Sequence, residues 1–159
     1  MRKLISACAV CAMAIGLVVV PSAFGVKSAK QVGGTVTVSA TPTTVDSTTT
    51  TLTASGGVAS SSGCKKDRTL HFAYVNGATV TPLAETAETK NNGSYTATVP
   101  KPTDTNPPTT SVVLRATVDP AIRKVGSKKK GKKAKKGRAF NCLTFSGDSA
   151  PIAIAPATP

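Results

Sequence analysis

Apolar and polar residues alternate along almost every apolar segment of this chain. Around Val36 and Leu52, for example, valine, leucine or alanine takes every second position, and threonine or serine takes the positions between. A period of two places apolar side chains on one face of a β-strand, and threonine and valine are common in strands. The pattern predicts strands at 34–40, 49–55, 68–75, 78–86, 94–99, 111–119 and 139–145, and 152–155 as an additional edge strand.

Turn residues separate the predicted strands. Asn76-Gly77 and Asn91-Asn92-Gly93 each lie between strand-like runs, and Asn-Gly is typical of a two-residue type I′ turn with positive φ at both central positions. Prolines are expected in connections, because a missing N–H then breaks no ladder hydrogen bond. These prolines are Pro42, Pro82, Pro100, Pro102, Pro107 and Pro108. Seven or eight short strands at this spacing predict one all-β domain built as a two-sheet sandwich.

A secretory signal peptide is predicted at 1–25. Met1-Arg2-Lys3 precedes an apolar run at 4–20, and small residues stand three and one positions before a cleavage point after Gly25, as in signal peptides. A transmembrane anchor is the alternative, but an apolar run of 17 residues is at the short limit for a span. We therefore expect a single mature domain at 26–159 that is secreted, extracellular or associated with the cell envelope.

Four cysteines occur in the sequence, and the first two lie within the predicted signal peptide. Ile5-Ser6-Ala7-Cys8 resembles a bacterial lipobox, but most of the apolar run follows Cys8, which argues against lipidation. An exported chain reaches an oxidising space, so the remaining pair, Cys64 and Cys142, is expected to form one disulfide. In the chain-entropy description, closing a loop of about 78 residues stabilises a fold by about 4.5 kcal/mol.

Half of the positive charge lies in one segment. The range 123–138 (RKVGSKKKGKKAKKGR) contains ten of the 20 lysines and arginines and no acidic residue. Two more basic residues stand at positions 2 and 3, and the other eight are offset by seven carboxylates, so the rest of the chain is nearly neutral. A local cationic segment can hold an anionic partner, but charge alone identifies neither the partner nor a reaction.

We expect 123–138 to form a polybasic hairpin loop. It contains glycines and no aromatic residue, so it offers charge without a platform for stacking bases. Lysine predominates, which favours point-charge attraction over bidentate recognition of one phosphate. The candidate polyanion-binding residues are Lys124, Lys128, Lys129, Lys130, Lys132, Lys133, Lys135, Lys136 and Arg138. The alternative is a solvated insertion that binds nothing.

Two motifs resemble a known class of domain. The stretch 64–72 (CKKDRTLHF) places a cysteine a few residues before a basic-x-apolar-x-apolar strand, and 89–97 (TKNNGSYTA) is similar to a Thr-Asp-x-x-Gly-x-Tyr turn and strand. Both resemble secreted bacterial immunoglobulin-like and transthyretin-like (carboxypeptidase-regulatory-like) β-sandwich modules. Lys90 departs from that pattern, because it replaces the usual Asp, and the polybasic loop enlarges the last hairpin. The resemblance implies an immunoglobulin-like β-sandwich used as a stalk, adhesion or binding module without catalysis.

Residues that could support catalysis are scattered along the chain. His71 alternates with Leu70 and Phe72, so its side chain is expected to face outward. Nothing fixes the separation of Glu85 and Glu88 that a carboxylate pair in a glycosidase would require. No serine lies in a Gly-x-Ser-x-Gly motif, and two cysteines with one histidine make a poor metal site. We expect no catalytic residue, metal or cofactor.

The sequence therefore predicts a secreted, non-enzymatic β-sandwich with a structural, adhesion or binding role. The alternative is an electrostatic binder of polyanions through the lysine-rich loop. Its partners would be a wall polymer, an anionic lipid surface, an acidic polysaccharide or extracellular DNA. An unidentified protein partner also fits the first hypothesis, and no small-molecule substrate is expected.

Overall fold

The computed structural model describes residues 29–103, 110–125 and 138–155. The predicted signal peptide and residues 126–137 of the polybasic loop lie outside these ranges. Within them the chain is all-β. The strands are β1 (Lys30–Val32), β2 (Thr35–Thr41), β3 (Thr44–Val45), β4 (Thr51–Ala59), β5 (Thr69–Asn76), β6 (Thr79–Glu88), β7 (Ser94–Pro100), β8 (Ser111–Val118), β9 (Ala121–Val125), β10 (Arg138–Cys142), β11 (Phe145–Asp148) and β12 (Ile152–Ile154).

Two sheets enclose the apolar side chains. One has the strand order β2-β4-β7, and the other has the order β3-β12-β8-β5-β6 with β11 also paired to β8. The alternation predicted from sequence is confirmed, since apolar residues of β2 and β8 are buried at every second position. Phe72 of β5 and Tyr95 of β7 meet between the sheets with ring centroids 6.0 Å apart, so both sheets contribute to one hydrophobic core.

A third sheet, in the order β1-β10-β9, continues from one end of the larger sheet. β9 and β10 form an antiparallel hairpin, and β1 pairs with β10 in parallel. Residues 126–137 connect the two strands of this hairpin, so the polybasic segment follows β9 and precedes β10. The ends of β9 and β10 therefore show where the polybasic segment leaves the described part of the fold and where it returns.

Several strand boundaries differ from the sequence prediction. The strands β1, β3 and β9 were not expected, because they are short and lack a clear apolar alternation. The predicted strand at 139–145 is wrong as one element. It divides at Leu143, since β10 pairs with β9 and β1 whereas β11 pairs with β8. The polybasic loop is also shorter than 123–138, because its first three residues end β9 and Arg138 begins β10.

The hairpin at Asn76-Gly77 is confirmed, but its predicted turn type is wrong. Asn76 pairs with Thr79 at the end of the ladder, so Gly77 and Ala78 are the two central residues. Gly77 has φ +56°, and neither Asn76 nor Ala78 has a positive φ. Positive φ at the first central residue alone is the pattern of a type II′ turn, which favours glycine there.

Two prolines that were expected in connections lie in strands instead: Pro100 is the last residue of β7, and Pro82 lies in the interior of a strand. Pro82 belongs to β6, which is the edge strand of the larger sheet, and it lies opposite Ala73 where the ladder register shifts. An edge strand tolerates proline because the missing N–H can face away from the neighbouring strand. The expectation that Pro82 and Pro100 lie in connections is therefore wrong. Pro107 and Pro108 lie outside the described residues.

Candidate functional site

Three connections meet at one end of the two sheets. They are the β4–β5 connection (60–68), the β6–β7 turn (89–93) and the β9–β10 hairpin. Backbone hydrogen bonds join the first two, since Asp67 N donates to Thr89 O at 2.9 Å and Thr89 N donates to Arg68 O at 2.9 Å. Asp119 N, just before the hairpin, donates to Thr69 O at 3.0 Å. We call this region the hairpin end of the domain.

A pair of cysteines joins the hairpin to the β4–β5 connection. Cys64 and Cys142 lie at disulfide distance, with Cα atoms 5.5 Å apart and a sequence separation of 78. This confirms the pairing predicted from the cysteine count. Both side chains are fully buried. The bridge therefore fastens the end of β10 to the β4–β5 connection.

The buried guanidinium of Arg68 makes a second attachment at the same place. It donates from Nη1 to Cys64 O at 2.8 Å, and from Nη2 to Asp119 O and to Leu143 O, the latter at 3.2 Å. The first carbonyl belongs to the β4–β5 connection. The other two belong to residues just before β9 and just after β10. Burial, with repulsion from Arg123 as a smaller cause, lowers the pKa of Arg68, although a guanidinium stays protonated in proteins.

Arg123 attaches the outer part of the hairpin. Its Nη2 donates to Asp67 O and to Lys66 O, the latter at 3.3 Å. Asp67 has φ +50°, a left-handed conformation that aspartate adopts more readily than most residues. The hairpin is thus held through Arg123 in β9, Arg68 below it and Cys142 in β10. These contacts fix the positions of the two strands that precede and follow the lysine-rich segment.

Of the predicted contact residues, the structure describes few. Lys124 lies in β9 with an exposed side chain, and Arg138 is the first residue of β10. Lys128, Lys129, Lys130, Lys132, Lys133, Lys135 and Lys136 lie outside the described residues. Their contact role stays a prediction. What the structure adds is the hairpin from which they extend.

Further basic residues that the sequence analysis did not select lie at the hairpin end. Lys66 and Lys90 are exposed and Lys65 is half-buried, and they occupy the two neighbouring connections. Lys30 is exposed in β1 and pairs across the ladder with Phe140. They are distant in sequence from the lysine run, so charge density along the chain could not identify them. Folding extends the cationic surface beyond the loop.

His71, which the sequence analysis considered as a catalytic residue, faces outward as predicted. Its Nε2 lies 2.9 Å from an Asp119 carboxylate oxygen, and the two side chains are 52% and 48% exposed. The pair lies on the surface, and neither residue lines the described pockets. Among the described residues, no group of three or more histidine, cysteine, aspartate or glutamate side chains could hold a metal ion.

No protein-family model, no curated protein and no solved structure matches this chain. In the described part of the chain, no helix has the length and apolar character that crossing a membrane requires.

Proposed function

We propose that the mature chain is an immunoglobulin-like β-sandwich. The support is its strand order: one sheet has β2-β4-β7, and the other runs β3-β12-β8-β5-β6. In immunoglobulin nomenclature these are A-B-E and A′-G-F-C-C′, with β11 and β12 together as strand G. The short strand β3 pairs with β12 in parallel, as expected of an A strand that crosses from one sheet to the other.

The disulfide departs from the immunoglobulin arrangement. In antibody domains the bridge joins strands B and F behind a core tryptophan, whereas this chain has no tryptophan and its paired cysteines lie outside the two main sheets. The core here is a cluster of small aliphatic side chains with Phe72, Tyr74 and Tyr95. The bridge instead stabilises the base of the F–G hairpin, where variable domains carry a binding loop.

The function that the geometry supports best is non-enzymatic binding of a linear polyanion by an exported module. The observation that supports it is the attachment, at Cys142, Arg68 and Arg123, of the two strands that precede and follow the lysine-rich segment in sequence. Dense lysines on a fixed base attract closely spaced negative groups, and the attraction weakens with salt. Wall polymers, acidic polysaccharides, extracellular DNA and anionic lipid surfaces share this chemistry.

The test is a variant in which Lys128, Lys129, Lys130, Lys132 and Lys133 are changed to Gln. We expect the wild type to be retained on a heparin column at low salt and the variant to pass through or elute much earlier. Parallel columns that carry DNA or anionic vesicles separate the possible sources of the negative charge. Circular dichroism should be the same for both proteins, because the substitutions lie outside the described core.

Lys101→Gln is the matched control, since Lys101 lies at the other end of the domain, where its Nζ is 3.4 Å from Asp46 O. Its retention should equal that of the wild type. If the five-lysine variant binds every polyanion as tightly as the wild type, the electrostatic function is wrong. The structural or adhesion role, with a protein partner on the strand faces or loops, then becomes the better hypothesis.

A further inference from the structure

A groove lies beside the hairpin end, on the outer face of the β2-β4-β7 sheet. Its volume is about 460 Å³, and it is shallow and broadly open to solvent. The β4–β5 connection forms one wall and the β6–β7 turn forms another. The floor of the groove and its polar groups come from Thr37, Gly57, Ser60, Lys65, Asn92 and Ser94.

The groove exists because Gly57 has no side chain. In the ladder Gly57 lies between Thr37 of β2 and Ser94 of β7, directly opposite both. A Cβ atom at Gly57 would meet Thr37 Oγ1 at 3.8 Å and Gly93 O at 3.9 Å, which are ordinary contacts. The space above this glycine is therefore open, and a side chain placed there would fill it without distorting the sheet.

Hydrogen bonds fix the positions of the polar groups. Thr37 Oγ1 accepts from Gly57 N at 3.0 Å and donates to Gly57 O at 3.3 Å. Ser94 Oγ donates to Asn92 Oδ1 at 2.8 Å, and Ser60 Oγ donates to Gly33 O at 2.9 Å. A hydroxyl oxygen has two acceptor lone pairs, so the serine hydroxyls that donate here can still accept a hydrogen bond from a ligand.

The groove carries little charge, and that charge is positive. Strands β2, β4 and β7 contain no charged residue at all, although 17% of the whole chain is charged. Lys65 is the single charged residue among the nine that line the groove. A densely charged chain of phosphates would find few partners in this groove. A sugar unit, with several hydroxyls and one acidic group, would find hydroxyls, an amide and one ammonium group.

We propose that the groove binds one acidic sugar unit of a polysaccharide. The proposal rests on the proposed function and narrows its ligand from polyanions in general to an acidic polysaccharide. The polymer lies with one unit in the groove against Lys65, and it continues toward the exposed Lys66 and Lys90 of the neighbouring connections. Charge attracts the polymer, and the fixed hydroxyls distinguish a sugar from a bare anion.

The test compares two probes that carry equal numbers of negative charges, a heparin-derived oligosaccharide and a polyphosphate. The test variant is Gly57→Val, which fills the floor of the groove with a residue that strands favour. We expect its affinity for the oligosaccharide to fall about tenfold, the loss expected when a few good contacts are removed. Its affinity for polyphosphate should change by less than about twofold.

Thr53→Val is the matched control. Thr53 lies on the same strand and face, outside the groove, and is paired with Thr41. It should bind both probes like the wild type. Backbone amide shifts of the wild type offer a second measurement that does not depend on any substitution. The oligosaccharide should perturb Gly57, Ser94 and Lys65, whereas polyphosphate should leave Gly57 and Ser94 unchanged.

The outcomes separate this inference from the proposed function. If Gly57→Val binds the oligosaccharide like the wild type, and Gly57 and Ser94 do not shift, the groove is not a sugar site and the electrostatic function stands. If instead the five-lysine variant binds both probes normally, the electrostatic function is wrong. The groove is then judged by Gly57→Val and the amide shifts alone.

Discussion

Single backbone positions decide how closely the parts of the hairpin end approach one another. Gly93 has φ +92°, and a Cβ atom there would lie 2.5 Å from Val58 O. Val58 N donates to Gly93 O at 2.9 Å, so the turn sits directly against β4. Glycine meets both needs, because it adopts positive φ without penalty and has no side chain to collide with the strand.

We predict that Gly93→Ala lowers the free energy of unfolding by about 2–3 kcal/mol, since backbone strain and the displaced Val58 carbonyl add together. Urea unfolding followed by circular dichroism measures the change. Gly33→Ala is the control, because nothing lies within 4 Å of a Cβ at Gly33, and it should be nearly neutral. Equal stability of the two variants would contradict the close packing of the turn on β4.

At the scale of elements, the hairpin depends on attachments that come from other parts of the chain. β9 is a five-residue strand, and an isolated two-stranded hairpin is at best marginally stable in water. The paired strand β1, the Cys64–Cys142 bridge and the guanidinium of Arg68 supply what the hairpin lacks. The contact between Arg68 and the Phe145 ring, at 5.9 Å, adds a cation–π attraction.

Limited trypsin treatment tests this attachment. We predict that trypsin cleaves first after the lysines at 128–136. The two fragments should then migrate together on a gel until a reductant is added, because Cys64 and Cys142 lie on different fragments. The double variant Cys64→Ala/Cys142→Ala should separate without reductant and should unfold at a lower temperature. In the chain-entropy description the bridge is worth about 4.5 kcal/mol. Fragments of the wild type that separate without reductant would contradict the bridge.

For the whole molecule, folding places the described cations mainly at one end. The β4–β5 connection, the β6–β7 turn and β1 bring Lys30, Lys65, Lys66 and Lys90 to the end that carries the polybasic segment. Arg115, on β8, is paired with Asp148 at 2.7 Å, and Lys101 lies at the opposite end. A linear polyanion bound to the loop would therefore meet more positive charge beyond it.

We predict that the double variant Lys66→Gln/Lys90→Gln binds polyphosphate with a smaller salt dependence. The slope of log K against log salt should fall by roughly 0.7 to 0.9 for each lysine that contacts a negative group. A salt titration of the binding constant gives this slope. Lys101→Gln should leave it unchanged, and an unchanged slope in the double variant would confine binding to the loop.

Much of the fold could be predicted from local pattern. The alternation in 111–119 predicted a half-buried strand, and Val112, Leu114, Ala116 and Val118 are all buried in β8. A period of two needs no tertiary information, because successive side chains in a strand point to opposite faces. The pairing of Cys64 with Cys142 also followed from sequence, since the two cysteines outside the predicted signal peptide allow one connectivity.

The short strands and the arrangement of the candidate site could not be predicted. β1, β3 and β9 form because neighbouring strands offer hydrogen bonds, and their own side chains carry little apolar alternation. Arg68 looks like an ordinary basic residue in the sequence, yet it is 1% exposed. Its guanidinium donates to three backbone carbonyls, and two of them, Asp119 O and Leu143 O, lie 51 and 75 residues away in sequence. A local pattern contains no information about those two partners.

Local pattern was therefore enough to predict the class of structure, the cysteine pair and the location of the charge along the chain. Tertiary structure decided which residues share a surface: the attachment of the hairpin, the lysines beside it and the groove over Gly57. The physical reason is one of range. Strand alternation and charge density act between near neighbours, whereas a binding surface is assembled from connections that meet after the two sheets have packed.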